Sequence, residues 1–133
     1  MTSLVLALVL VAGGPDKAAL AKADAERCAK SDGTPETAQA CHRACDGGQL
    51  DSCHALAKLY DLGKGVELDA RRALSILRAT CARDHAQSCF DAGKRLLQPT
   101  ASKSEEKHGH AMMEKACRLG IKEACPSGPD GGS

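Results

Sequence analysis

The sequence is poor in aromatic side chains. It has no Trp, a single Tyr (Tyr60) and a single Phe (Phe90) among 133 residues. Strands of β-sandwiches and barrels depend on aromatic and β-branched side chains, so this scarcity tells against both architectures. Excess charge is missing too. Eighteen basic residues against seventeen acidic ones leave a net charge of +1, too little for the basic footprint of a nucleic-acid-binding surface. No Cys-x-x-Cys occurs, which disfavours a redox dithiol, and no His-Glu-x-x-His occurs to hold a hydrolytic metal.

The apolar run at residues 4–12 (LVLALVLVA) is about half the length a bilayer span requires. It fits the hydrophobic region of a signal peptide, with Ala12, Gly13 and Gly14 as small residues for cleavage. The segment before it, Met-Thr-Ser, lacks the usual Lys or Arg, so a buried helix start is the alternative. We read residues 1–14 as a signal peptide and residues 15–125 as one domain. The apolar-free tail 126–133 (PSGPDGGS) reads as disordered. Removal of the signal leaves no stable membrane anchor and places the protein in a secreted or periplasmic setting.

What the chain does have is cysteine: eight, at positions 28, 41, 45, 53, 81, 89, 117 and 125. Cys45 and Cys53, Cys81 and Cys89, and Cys117 and Cys125 are each separated by seven residues, and both members of each pair recur after 36 residues. That period is close to those of helical-hairpin repeats, which stack into solenoids. We divide the domain into a degenerate repeat at about 15–45 and clearer ones at 46–81 and 82–117.

Between the pairs, CHALAKLYDL carries Leu56, Leu59 and Tyr60 at helical spacing. Gly63 and Gly65 break that helix. Asp69 caps a second one, ARRALSILRATCAR, with Ala73, Leu74, Leu77 and Cys81 on one face. That helix should end near Arg83 and Asp84, and the next should begin near Gln87. In the following copy, Pro99 and Ala101 stand where the turn glycines were. Gly109 stands where Ala73 was, a weakening of the helix by up to about 1 kcal/mol. Upstream, KAALAKADAERCAK, a turn at Asp32-Gly33 and a Thr34 cap followed by Pro35 outline a first hairpin.

With the first Cys of each pair near the end of one helix and the second near the start of the next, the intervening turn brings them within disulfide reach. Each such bond is worth about 2.5 kcal/mol in the chain-entropy model, useful where Leu, Ala and Val alone make a small core. Cys28 and Cys41, one on each helix of the first hairpin, are left as a fourth bridge. The rival is zinc on Cys41, Cys45 and Cys53 with His42 or His54. Against it, the other pairs repeat without matching histidines. Neither metal nor cofactor is expected.

The segment CHALAKLYDLGKGVELDARRALSILRATCARDHAQSC resembles a Sel1-like repeat of the disulfide-rich Helicobacter cysteine-rich protein kind. The match lies at Cys53, Leu56, Leu59, Tyr60, Gly63, Gly65, Val66, Asp69, Ala73, Cys81 and Cys89, with Ala57 in place of Gly and Thr80 in place of Ala. The next copy keeps Gly93, Lys115-Ala116-Cys117 and Cys125 but loses the Gly-x-Gly-Val turn. The resemblance covers about residues 38–125. It implies an all-α fold, a right-handed α/α superhelix with a disulfide bridging the helices of each repeat, in a secreted or periplasmic protein. It also implies either a peptide- or protein-binding adaptor with a concave groove or a slow β-lactamase or penicillin-binding activity.

The residues themselves favour the adaptor. Ser104-Glu105-Glu106-Lys107 matches Ser-x-x-Lys, but no Ser-Asp-Asn or Lys-Thr-Gly follows. Ser102-x-x-Glu105 reads better as a capping box, with Glu105 and Glu106 favoured by the helix dipole. His108 and His110 lie two apart and do not share a helix face. His85 reads as an exposed turn residue. For a binding face, His54, Lys58 and Asp61 lie off the apolar stripe, and the 36-residue shift carries them to Phe90, Lys94 and Leu97. Lys58 and Lys94 would then stand side by side, suited to a carboxylate of a bound peptide. The plainer reading is a solvated surface. No catalytic residue is assigned.

Overall fold

The architecture follows from where helices are allowed to stop. In the computed structural model, which describes residues 14 and 16–127, six α-helices follow in order: α1 Lys17–Cys28, α2 Pro35–Asp46, α3 Leu50–Leu62, α4 Ala70–Ala82, α5 Ala86–Leu96 and α6 Lys103–Arg118. A single 3-10 turn, Lys122–Ala124, closes them. Each helix packs on the next in sequence, so the chain is a solenoid of three hairpins, α1–α2, α3–α4 and α5–α6. Residues 1–13 of the proposed signal peptide and residues 128–133 of the tail lie outside the described residues.

Local chemistry sets the ends. Thr34, with Pro35 after it, caps α2 by accepting the Thr37 amide. Asp69 caps α4 by accepting the Arg72 amide. Ser102 and Glu105 form a complete capping box on α6. These oxygens satisfy amide groups that have no partner inside the helix. Gly63 ends α3 at φ 62°, and Gly65 comes two residues later at φ 69°. A Cβ on Gly65 would lie 2.4 Å from the Thr34 carbonyl oxygen, so this glycine both turns the chain and lets the α3–α4 loop touch the start of α2. Helix α3 begins three residues before Cys53, at Leu50.

The core is built from small side chains. One buried cluster joins Leu56, Leu59, Tyr60 and Leu77 with Cys28, Cys41 and several alanines. A second joins Cys81, Cys89, Ala116 and Ala124, with Phe90, Met112 and Met113 packed against them. Alanines and glycines bring helices close but bury little apolar area each, so covalent links carry a larger share of stability than in a Leu-rich bundle.

Four disulfides are present: Cys28–Cys41, Cys45–Cys53, Cys81–Cys89 and Cys117–Cys125. Only the first lies inside a hairpin. The other three fasten the second helix of a hairpin to the segment after it, not the two helices of one hairpin to each other as the family resemblance implied. The physical reason is loop length. Residues 83–85 hold the end of α4 against the start of α5, with the Cα atoms of Cys81 and Cys89 4.5 Å apart, whereas residues 63–69 separate α3 from α4. Cys41, Cys45 and Cys53, the thiolates of the zinc alternative, are all consumed in these bonds.

Candidate functional site

Helix α3 and the α5 segment exchange polar partners across a shared seam. His54 on α3 places Nε2 2.7 Å from Oδ2 of Asp91 on α5. The Gln87 amide donates to the other Asp91 oxygen at 3.1 Å, and the Lys94 ammonium lies 3.4 Å from it. In the opposite sense, Asp51 on α3 faces His85 Nε2 at 2.7 Å. Asp61 near the end of α3 pairs with Arg95. The His54 and His85 rings lie between these links with centroids 5.4 Å apart.

His85 is not an exposed turn residue. Its side chain is only 15% exposed, and it caps α5: Nδ1 accepts the Ser88 amide at 3.2 Å and lies 2.8 Å from the Ser88 hydroxyl. With Nδ1 accepting, Nε2 carries the proton and donates to Asp51. The sequence reading missed this because Ser, Thr, Asp and Asn are the customary caps. The order Ser88, His85, Asp51 looks like a hydrolytic triad, but Ser88 is completely buried. A serine that no substrate can reach is a cap partner, not a nucleophile. Ser104 and Lys107 fall in the exposed first turns of α6.

Burial sets the protonation of the seam. Removal from water lowers the His54 pKa below the ordinary histidine range, outweighing the hydrogen bond and charge of Asp91 that act to raise it. Burial alone would push Asp91 up, but the hydrogen bonds from His54 and Gln87 prevail and hold it below the usual carboxylate value. The pair is therefore a neutral imidazole donating to a carboxylate.

Beside the seam, Lys58 and Asp61 of α3 and Asp91, Lys94 and Arg95 of α5 surround a pocket of about 380 Å³ floored by Ala57. Both lysines named from the sequence thus line one pocket. Lys94 extends over the Phe90 ring, 4.4 Å from its centroid. His54 sits behind, committed to Asp91. Leu97 is placed elsewhere: it touches Gly109 on α6. A second hollow of about 300 Å³ lies between α1 and α3, lined by Lys22, Glu26, Asp51 and Ala55 among others. Asp91 and Arg95 escaped the sequence reading because the repeat shift maps them onto Ala55 and the buried Leu59, positions that carry no charge.

No protein-family model matches the chain, and no curated protein sequence matches it. Solved structures do. A Sel1 repeat protein from Oxalobacter formigenes superposes with a TM-score of 0.66 at 17% identity over 82% of this chain. Cysteine-rich protein B of Helicobacter pylori superposes with a TM-score of 0.63 at 23% identity over 85% of this chain and 98% of its own. The fold is a Sel1-like helical solenoid. This Sel1-like chain spans 46% of the length of the Oxalobacter protein. Its four disulfides fit the cysteine-rich type, and no helix among the described residues is long and apolar enough to cross a membrane.

Proposed function

We propose that this Sel1-like solenoid is an exported binding or scaffolding module that holds a peptide or protein segment against the face formed by α1, α3 and α5. The observation that carries this reading is the α3–α5 pocket. Its two carboxylates are already engaged, Asp61 by Arg95 and Asp91 by His54. Among the described residues Lys58 has no ion-pair partner, and Lys94, 3.4 Å from the already hydrogen-bonded Asp91, is half exposed. The uncommitted charge is positive and suits a carboxylate of the bound segment. Disulfide bonding of all eight cysteines supports an oxidising compartment, secreted or periplasmic, and the apolar run at 4–12 supports export.

The test is the double variant Lys58→Glu/Lys94→Glu. Both side chains are mostly exposed, so each change should alter stability by no more than about 0.5 kcal/mol. Recovery of native partners from a periplasmic or culture-fluid extract should fall strongly, because like charges would then face each other. A variant that folds normally and retains its full partner set would remove the proposed site.

A further inference from the structure

The α1–α3–α5 face has two ends of opposite sign. We infer that its occupant is an extended peptide segment carrying a basic and an acidic side chain about 9–13 Å apart, the basic group seated over Asp51 and the acidic group over Lys58. The inference rests on the peptide-binding reading above and specifies its ligand.

The geometry begins on α3. Asp51, His54, Ala55 and Lys58 are spaced i, i+3, i+4 and i+7, so they share one helix face. Seven residues advance the helix by about 10 Å. Asp51 lines the hollow toward α1, where Glu26 adds a second carboxylate and Lys22 supplies the one opposing charge. Lys58 lines the pocket toward α5, where three basic residues face two carboxylates. The hollow is therefore negative by one charge and the pocket positive by one.

Both key charges stay open to a ligand. Lys58 has no ion-pair partner among the described residues, and Asp51, although it accepts from His85 Nε2 at 2.7 Å, has a fully exposed side chain. Between the two ends, Ala55 is small, and His54 is drawn aside onto Asp91. A segment can therefore cross α3 from hollow to pocket without meeting a tall side chain.

An extended peptide meets this spacing in two ways. In a polyproline-type conformation, residues three apart lie on one side and are separated by about 9 Å. In a β-type strand, residues four apart share a face and are separated by about 13 Å. The expected ligand patterns are thus Lys or Arg and Asp or Glu three or four residues apart. A peptide with the two charges adjacent cannot satisfy both ends.

The experiment is an NMR titration of the oxidised full chain with end-capped Ser/Gly peptides, a method that reads millimolar affinities. One set carries Lys and Glu three or four apart. Controls carry them adjacent, carry only Lys or only Glu, or carry neither. The spaced peptides should bind at least tenfold more tightly than the adjacent-charge and neutral ones. Asp51→Asn, which keeps an acceptor for His85, should reduce the spaced peptide to the affinity of the Glu-only peptide. Lys58→Gln should reduce it to that of the Lys-only peptide. Equal binding of spaced, adjacent and neutral peptides would overturn the two-ended ligand while leaving peptide binding intact. No binding by any peptide, together with unchanged partner capture by the Lys58→Glu/Lys94→Glu variant, would overturn both.

Discussion

His54 and Asp91 are 37 residues apart in sequence and 2.7 Å apart in the fold, and their hydrogen bond ties one repeat to the next beneath the candidate binding face. Asp51 and His85 repeat the link with the roles exchanged, the carboxylate now on α3 and the imidazole on the α5 segment. The seam thus aligns the two helices whose lysines line the pocket, and its protonation is coupled to the stability of the repeat stack.

The first prediction concerns pH. Because burial depresses the His54 pKa in the fold, the unfolded chain binds a proton there more readily, near pH 6.5. The stability that His54 contributes is therefore present above about pH 6.5 and lost as pH falls through and below that value. Asp91, held low in the fold, contributes stability above about pH 4 that is lost on further acidification. Urea midpoints measured from pH 8 to pH 3 should fall in these two stages, and His54→Gln should flatten the upper one. An unchanged midpoint between pH 8 and pH 5 would contradict the assignment.

Gly65→Ala should be among the most destabilising single-methyl additions in the chain. It combines a positive φ with a Cβ 2.4 Å from backbone oxygen and 2.7 Å from backbone carbon of Thr34, and backbone cannot step aside as a flexible side chain can. We expect a loss of more than about 2 kcal/mol, measured by chemical denaturation. Gly48→Ala, also at positive φ but with only the Arg83 guanidinium nearby at 3.5 Å, should cost less.

Gly109→Ala should destabilise even though it removes a glycine from a helix. The propensity gain is about 1 kcal/mol. A Cβ there would lie 2.8 Å from Leu97 Cγ and 3.1 Å from Leu96 Cβ, and overpacking of this kind costs about 1–3 kcal/mol. Gly93→Ala meets Met113 at 2.8 Å and the Gly109 carbonyl oxygen at 3.2 Å across the same contact. Thermal unfolding of both variants should show lowered midpoints; a raised midpoint for Gly109→Ala would mean that α5 and α6 can separate at little cost.

Cys117–Cys125 should be the first disulfide reduced. Cys125 is exposed and Cys117 half-buried, whereas each of the other three bonds has at least one nearly inaccessible cysteine. Thiol–disulfide exchange requires access to a sulfur. Brief treatment of the native protein with dithiothreitol, then alkylation and peptide mapping, should label Cys117 and Cys125 ahead of the rest.

Much of the fold was legible in the sequence because it is written in local chemistry. Thr34, Asp69 and Ser102 cap their helices through amides three residues away, Gly63 turns the chain at its own φ, and the 36-residue cysteine period marks the hairpins. These features need no knowledge of what packs against them. The placement of Lys58 and Lys94 on one pocket was legible for the same reason, since helical spacing and repeat spacing both carry it. What only the tertiary structure decided are the pairings across the seam. His85 became a cap bound to Asp51, His54 was drawn under the surface onto Asp91, and Arg95, standing where the earlier repeat has a buried leucine, took Asp61 as its partner. Such contacts depend on which side chains neighbouring helices bring within about 3 Å of each other, the range of a hydrogen bond. A periodic sequence specifies the stacking of its hairpins, but not the polar exchanges made by residues that depart from the period.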